Sequence, residues 1–127
     1  MLCPCKSGQA YADCCEPFIT RLTLPETPEQ LMRSRYTAYS QANIDYIMAT
    51  MKGTVLKDFD AVSAKQWAES VTWIKLKVIR AYVDPAIPES GFVEFKAYYR
   101  YKKQMHVMHE FSEFKKVDNQ WFYIGAK

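Results

Sequence analysis

The chain has 127 residues, 49% of them hydrophobic and 24% charged, with a formal net charge of +3. That size and balance suit one soluble domain with a real core and no need of disulfides, and a charge this mild argues for neither nucleic acid nor an acidic partner. No stretch approaches 18 uninterrupted apolar residues and no basic segment leads into an apolar one at the N-terminus, so neither a membrane span nor a secretory signal is expected, and the expected compartment is the cytoplasm with its reduced thiols.

All four cysteines fall in residues 3–15, CPCKSGQAYADCC. The spacing is Cys3-x-Cys5-x8-Cys14-Cys15. Two tight pairs joined by a turn-rich loop can close a tetrahedral thiolate sphere, with metal–sulfur bonds of about 2.3 Å. Pro4 stiffens the first pair, Ser7-Gly8 supplies the turn, and Tyr11 anchors the loop. Four thiolates repel one another unless a dication offsets them. Disulfides, a redox pair and an iron–sulfur cluster are the alternatives. A reducing compartment and the strain of bridging adjacent Cys14 and Cys15 argue against the first. A Cys-x-Cys redox pair leaves the other two cysteines unexplained, and iron–sulfur spacings differ. The expectation is one structural zinc ion per chain, held by Cys3, Cys5, Cys14 and Cys15, with no open position for catalysis. The stretch resembles the SEC-C motif, C-P-C-G-S-G-x-x-[YF]-x-x-C-[CH], at Cys3, Pro4, Cys5, Ser7, Gly8, Tyr11, Cys14 and Cys15. It departs at Lys6, where the motif has Gly. The lysine pairs of SEC-C tails in the preprotein translocase ATPase, which bind acidic partners and ribosomes, are replaced by Gln9-Ala10 and Ala12-Asp13.

Residues 16–30 carry prolines at 17, 25 and 28 and read as an irregular connector. A helix should then start, with Thr27 as cap, Pro28 at its first position and Gln30 completing a capping box. It runs through LMRSRYTAYSQA, with Leu31, Arg35, Ala38 and Ala42 as one stripe and Met32, Tyr36 and Tyr39 beside it. Asn43 caps a second helix that Gly53 ends, and a third short helix over 60–69 carries Val62, Trp67 and Ala68 as apolar positions.

From Val71 the period becomes two. VTWIKLKVIRAYV places Trp73, Lys75, Lys77 and Ile79 on one face and Ile74, Leu76, Val78 and Arg80 on the other. DPAIPESG reads as a loop. FVEFKAYYRY then sets Val93, Phe95, Ala97, Tyr99 and Tyr101 together, and MHVMHEFSEFKKV and WFYIGA follow after short turns. Helices first and a four-stranded antiparallel meander after them define an α+β fold, with a curved sheet wrapped on helices.

The segment RSRYTAY, Trp73, and HEFSEFKKVDNQWFYIGA resemble the YchJ-like family, also called UPF0225, over nearly the whole chain. The matching positions are Arg33, Ser34, Arg35, Tyr36, Tyr39, His109, Glu110, Ser112, Phe114, Trp121 and Tyr123. The resemblance implies an NTF2-like cone over residues 19–127 behind a zinc knuckle at 1–18. It implies no particular reaction. Many members carry a second SEC-C knuckle at the C-terminus, whereas the sequence here runs to Lys127 without one.

Arg33, Arg35, Tyr36, His109 and Glu110 are the candidates for a pocket or a polar network, and none is assigned a catalytic role. His109 and Glu110 alternate along a strand, so one should face the helices and the other solvent. Arg33 and Arg35 lie about 200° apart on a helix, so one should turn inward and pair with a carboxylate such as Glu110. His106 should lie near solvent beside Lys102 and Lys103. AYYRY fits stacking of single-stranded RNA, and equally the two faces of a curved sheet with Tyr99 and Tyr101 in the core. The leading functional expectation is a non-catalytic binding module that contacts a protein or a ribosome- or chaperone-associated partner through the knuckle. The alternatives are a small-molecule-binding or catalytic cone of isomerase or dehydratase type, and single-stranded RNA binding. A homodimer is expected as well.

Overall fold

In the computed structural model, which describes residues 1–127, a cysteine knuckle and five helices precede four long strands. The helices are α1 (Glu16–Ile19), α2 (Pro28–Ser40), α3 (Ile44–Ala49), α4 (Thr54–Lys57) and α5 (Ala61–Ser70). The strands are β1 (Thr72–Asp84), β2 (Ile87–Tyr101), β3 (Gln104–Val117) and β4 (Gln120–Ala126), paired antiparallel in the order β1-β2-β3-β4.

The start of α2 follows from its sequence. Thr27 accepts a hydrogen bond from the Gln30 amide at 3.1 Å, and Pro28 opens the helix. The box closes one residue earlier than expected: Gln30 Oε1 accepts from the Glu26 amide at 2.7 Å, not from Thr27. The helix also ends at Ser40, because Ala42 takes a left-handed φ of 53°. Asn43 caps α3 by accepting from the Tyr46 amide. Gly53 does not end α3, which stops at Ala49; with φ of 80° it precedes α4 instead. Both α4 and α1, the latter inside the proline-rich connector, are too short to leave a helical period.

The strands depart from simple alternation at identifiable points. The loop expected over 84–91 is a tight hairpin turn in which only Pro85 and Ala86 separate β1 from β2, and Asp84 Oδ1 accepts from the Ala86 amide at 2.8 Å. Asp84 pairs with Ile87 and Val83 with Gly91, so Pro88 sits in a bulge where its missing N–H is not needed. Two further register shifts fall in β1, between Trp73 and Lys75 and between Val78 and Arg80. Each inserts one isoleucine, Ile74 or Ile79, and reverses the alternation. Trp73 therefore shares the inner face with Leu76, Val78 and Ala81, and Arg80 turns outward. Strict period two had placed Trp73 opposite Leu76, and Arg80 beside it.

The core lies between α2 and the concave face of the sheet. Leu31, Met32 and Tyr36 pack on Leu76, Val93, Phe95, Ala97, Phe114 and Trp121. Cys3, Cys5 and Cys15 belong to the same buried cluster. A smaller cluster of Ala38, Tyr46, Ile47 and Met51 seals the helical side. Residues 50–52 lie along β4, with the Tyr123 amide donating to Thr50 O at 2.8 Å and the Lys52 amide to Tyr123 O at 3.1 Å. This pairing covers the edge that β4 would otherwise expose. Val62, expected on the apolar face of its helix, is 69% exposed, because α5 packs through Trp67 and Ala68 near its C-terminal end. No helix is long and apolar enough to cross a membrane.

Candidate functional site

Two constellations share α2 as a wall. The first is the knuckle. Gly8 turns the loop at φ of 90°, and a 3-10 turn over Tyr11–Asp13 brings the second cysteine pair back to the first. The four Sγ atoms lie within 4.8 Å of one another, with Cys5–Cys14 at 3.6 Å and Cys14–Cys15 at 3.9 Å. A tetrahedron with metal–sulfur bonds of about 2.3 Å has an edge of about 3.8 Å. The cluster therefore fits a four-thiolate metal site, and all four cysteines are free of disulfides.

Helix α2 grips the knuckle through residues four apart. Arg33 Nη1 donates to Cys5 O at 3.0 Å and lies 3.9 Å from Cys5 Sγ, while its Nε donates to Glu29 at 2.9 Å. Thr37 Oγ1 lies 3.7 Å from Cys3 Sγ. Gln41 Nε2 donates to the Tyr11 hydroxyl at 3.0 Å. Four thiolates around one dication leave two negative charges, which the Arg33 guanidinium partly offsets. Without a dication the charge is shared unevenly. Hydrogen bonding from the Cys15 thiol, against the pull of burial, holds Cys5 down at about 4. Burial pushes Cys14 up to about 11. The bond to Cys5, with burial behind it, pushes Cys15 up as well. Only a bound cation lets these thiols ionise together.

The second constellation is a cavity of about 200 Å³ between α2, α5 and the sheet. Ten of its 13 lining residues are hydrophobic, among them Met32, Tyr36, Tyr39, Trp67, Trp73 and Met108. The two tryptophans meet edge to face at 5.2 Å, and Tyr36 abuts Trp73 at 5.5 Å. Burial raises Tyr36 to about 12 and pushes Tyr39 up. The polar wall consists of Arg35, Glu110 and Ser112 beside Tyr123.

Arg35 and Glu110 do not form the direct ion pair expected of them; Tyr123 stands between. Arg35 Nη1 donates to Ile47 O at 2.8 Å and Thr50 Oγ1 at 2.7 Å, and its guanidinium stacks 4.7 Å from the Tyr123 ring. The Tyr123 hydroxyl donates to Glu110 Oε2 at 3.0 Å, and Ser112 Oγ donates to the same oxygen. Burial lowers the Arg35 guanidinium, with Tyr39, Tyr123 and Glu110 opposing it. Burial and the Glu110 charge raise Tyr123. Glu110 Oε1 is left without a protein partner, and Trp73 Nε1 is buried with none.

The five candidate residues thus part company. Arg35, Tyr36 and Glu110 line the cavity. Arg33 serves the knuckle. His109 sits in β3 on the outer face of the sheet, its side chain 52% exposed, with Nε2 2.7 Å from Glu94 Oε2. His106 is not solvated as expected: its ring stacks on Tyr99 at 5.2 Å, and its Nε2 is buried without a partner. Tyr99 and Tyr101 are only half-buried, and Tyr99 closes the aromatic group around Trp67 and Trp73. Trp67 is legible as an apolar position of its helix, but Trp73's place in the cavity is not, because the bulge at Ile74 hides its direction. Glu110 and Ser112 were legible as one face, since they lie two apart on one strand.

A concave antiparallel sheet closed by helices, with a four-cysteine knuckle docked on the first long helix, defines an NTF2-like domain preceded by a SEC-C motif. Family models agree: residues 27–126 match the YchJ middle NTF2-like domain and residues 2–17 the SEC-C motif. A UPF0225 protein from Actinobacillus succinogenes is 40% identical over 98% of this chain and 80% of its own length. The chain belongs to this YchJ-like, UPF0225 family. The solution structure of a SEC-C motif containing protein from Rhodopseudomonas palustris is 34% identical, with a TM-score of 0.90, covering 100% of this chain and 98% of that one. An LEH-like epoxide hydrolase from M. tuberculosis shares the fold alone, at 15% identity and a TM-score of 0.51 over 80% of this chain and 85% of that one.

Proposed function

We propose that this chain is a small-molecule-binding cone whose wall is braced by a structural zinc knuckle. The observation that carries the reading is the aromatic cavity, walled by Trp73, whose buried N–H lacks an acceptor, and by the half-buried Glu110, whose Oε1 makes no hydrogen bond within the protein. Buried polar groups are nearly always paired, so a ligand acceptor would answer the Trp73 N–H, while the half-buried Glu110 carboxylate offers a ligand donor a partner in place of water. The volume of 200 Å³ exceeds the roughly 150 Å³ that accommodates benzene, which suits one ring with a short polar substituent. Zinc at the four cysteines is structural in this reading, because four protein ligands leave no position for substrate. Metal analysis of untagged protein purified without chelator should find about one zinc per chain.

Benzamide is a suitable probe for the cavity, since its carbonyl accepts and its amide donates. Titrated into 15N-labelled protein, it should shift the Trp73 indole resonance. An Ala97→Leu variant, which fills the cavity from the sheet side, should abolish the shift while keeping the folded spectrum. An unmoved indole resonance with wild type would sink the reading. A protein contact through the knuckle is a second reading, supported by Leu2 and Leu22, which are 70% and 81% exposed on either side of it in sequence. Substituting both with Ser should then abolish partner capture and leave benzamide binding unchanged.

A further inference from the structure

The convex face of the sheet belongs to neither constellation. Ladder pairing brings Lys75 opposite Tyr98 and Lys77 opposite Lys96 on that face, with Arg100 beyond them. On the β3 side, Val107 lies opposite Tyr98 and Met105 opposite Arg100. Farther along, charge is balanced: Arg80 and His109 both bond Glu94, at 3.0 and 2.7 Å. Toward the turn at Lys102 and Lys103 it is not. Lys75, Lys77, Lys96 and Arg100 have no ion-pair partner.

Lys77 and Lys96 sit directly across the ladder, an arrangement that destabilises a sheet unless an anion offsets it. Beside them is an aromatic and apolar floor. Tyr98 is half-buried under the Lys75 ammonium, 4.6 Å from its ring, and Met105 and Val107 are each 53% exposed. Cations that track a phosphate chain, interleaved with an aromatic side chain on which bases stack, are the elements of single-strand recognition.

We propose that this end of the convex face binds single-stranded nucleic acid, with Lys75, Lys77, Lys96 and Arg100 on phosphates and bases lying over Tyr98, Val107 and Met105. A second copy of the same face would oppose like charges. A duplex would engage the cations and leave the apolar floor unused. A bilayer suits a surface whose apolar and basic residues are segregated, and here they are interleaved on a stiff sheet.

The test is fluorescence anisotropy of a labelled oligouridylate titrated with the full chain at several salt concentrations. Binding should weaken with salt at a slope of about −3 in log K against log salt, for four phosphates at about −0.7 each. Lys77→Gln with Lys96→Gln should halve that slope and weaken binding at least tenfold. Tyr98→Ala should weaken it about tenfold with the slope unchanged. All three positions are on the surface, and thermal melts should show the variants folded. Lys57→Gln with Lys65→Gln, exposed on the helices, should bind as wild type does. Any of four results would overturn the proposal: no binding at low salt, equal loss in the helix variant, duplex RNA bound as tightly with no effect of Tyr98→Ala, or binding to phosphatidylserine vesicles without binding to oligouridylate.

Discussion

Lys6 shows how one residue can work against the knuckle it belongs to. Its φ of 64° lies in the left-handed region, which costs a side chain about 1 kcal/mol relative to Gly. The SEC-C pattern has Gly at this position, and the geometry supplies the reason. Lys6→Gly should raise stability by about 1 kcal/mol, read as a higher urea midpoint with an unchanged slope. Arg33 is the opposite case. It bonds the Cys5 carbonyl and faces a cluster that carries excess negative charge once loaded. Arg33→Ala should cost about 10-fold to 100-fold in zinc affinity, measured by chelator competition. The sequence placed both arginines on one helix but could not say which served which site. The knuckle takes the side of α2 that carries 33, 37 and 41, a spacing that is visible only once Thr37 and Gln41 are known to touch it.

Among the elements, α2 and β2 set the cone's shape. Gly91 lies where β2 passes under the start of α2. A Cβ there would collide with the Pro28 ring, and Trp121 is 3.2 Å away. Gly91→Ala should destabilise by roughly 1–3 kcal/mol, because neither ring has room to yield. Thermal denaturation checks this, and an unchanged melting temperature would mean that helix and strand can separate freely. The element order and the capping at Thr27 and Asn43 were legible, since they rest on local chemistry. The β1 bulges were not. Nothing in TWIKLKVIR marks Ile74 and Ile79 as the extra residues; the pull of Trp73 into the aromatic group and of Arg80 toward Glu94 decides it, and both are tertiary effects. The turn at Pro85 and Ala86 is illegible for a related reason, as prolines at 85 and 88 suggest a loop while the bulge accommodates the second within a strand.

For the whole molecule, two buried tyrosines, Tyr36 and Tyr46, and two half-buried ones, Tyr39 and Tyr123, tie stability to pH. Burial raises Tyr36 to about 12 and also raises Tyr39, Tyr46 and Tyr123. An unfolded tyrosine releases its proton near pH 10. The native state holds these protons longer, so stability is fully present below pH 10 and falls as pH rises from about 10 through 12. Urea unfolding on either side of pH 10 should show this fall, and Tyr123→Phe should make it shallower. A flat profile would mean that these hydroxyls are not buried in solution.

The same unity would govern a metal held by the four cysteines. A knuckle tethered at 1–18 could in principle disorder on its own, yet Cys3, Cys5 and Cys15 share one core with Leu31, Tyr36 and Phe114, and α2 walls both the knuckle and the cavity. Removing zinc should therefore reach the pocket. The most direct measurement is to follow the Trp73 indole resonance of zinc-loaded protein as a chelator strips the metal, with the melting temperature recorded in parallel. The indole resonance should move or broaden as zinc leaves, the melting temperature of the whole domain should drop, and returning zinc should restore both. A knuckle that loses its order while the Trp73 resonance and the melting temperature stay fixed would contradict it.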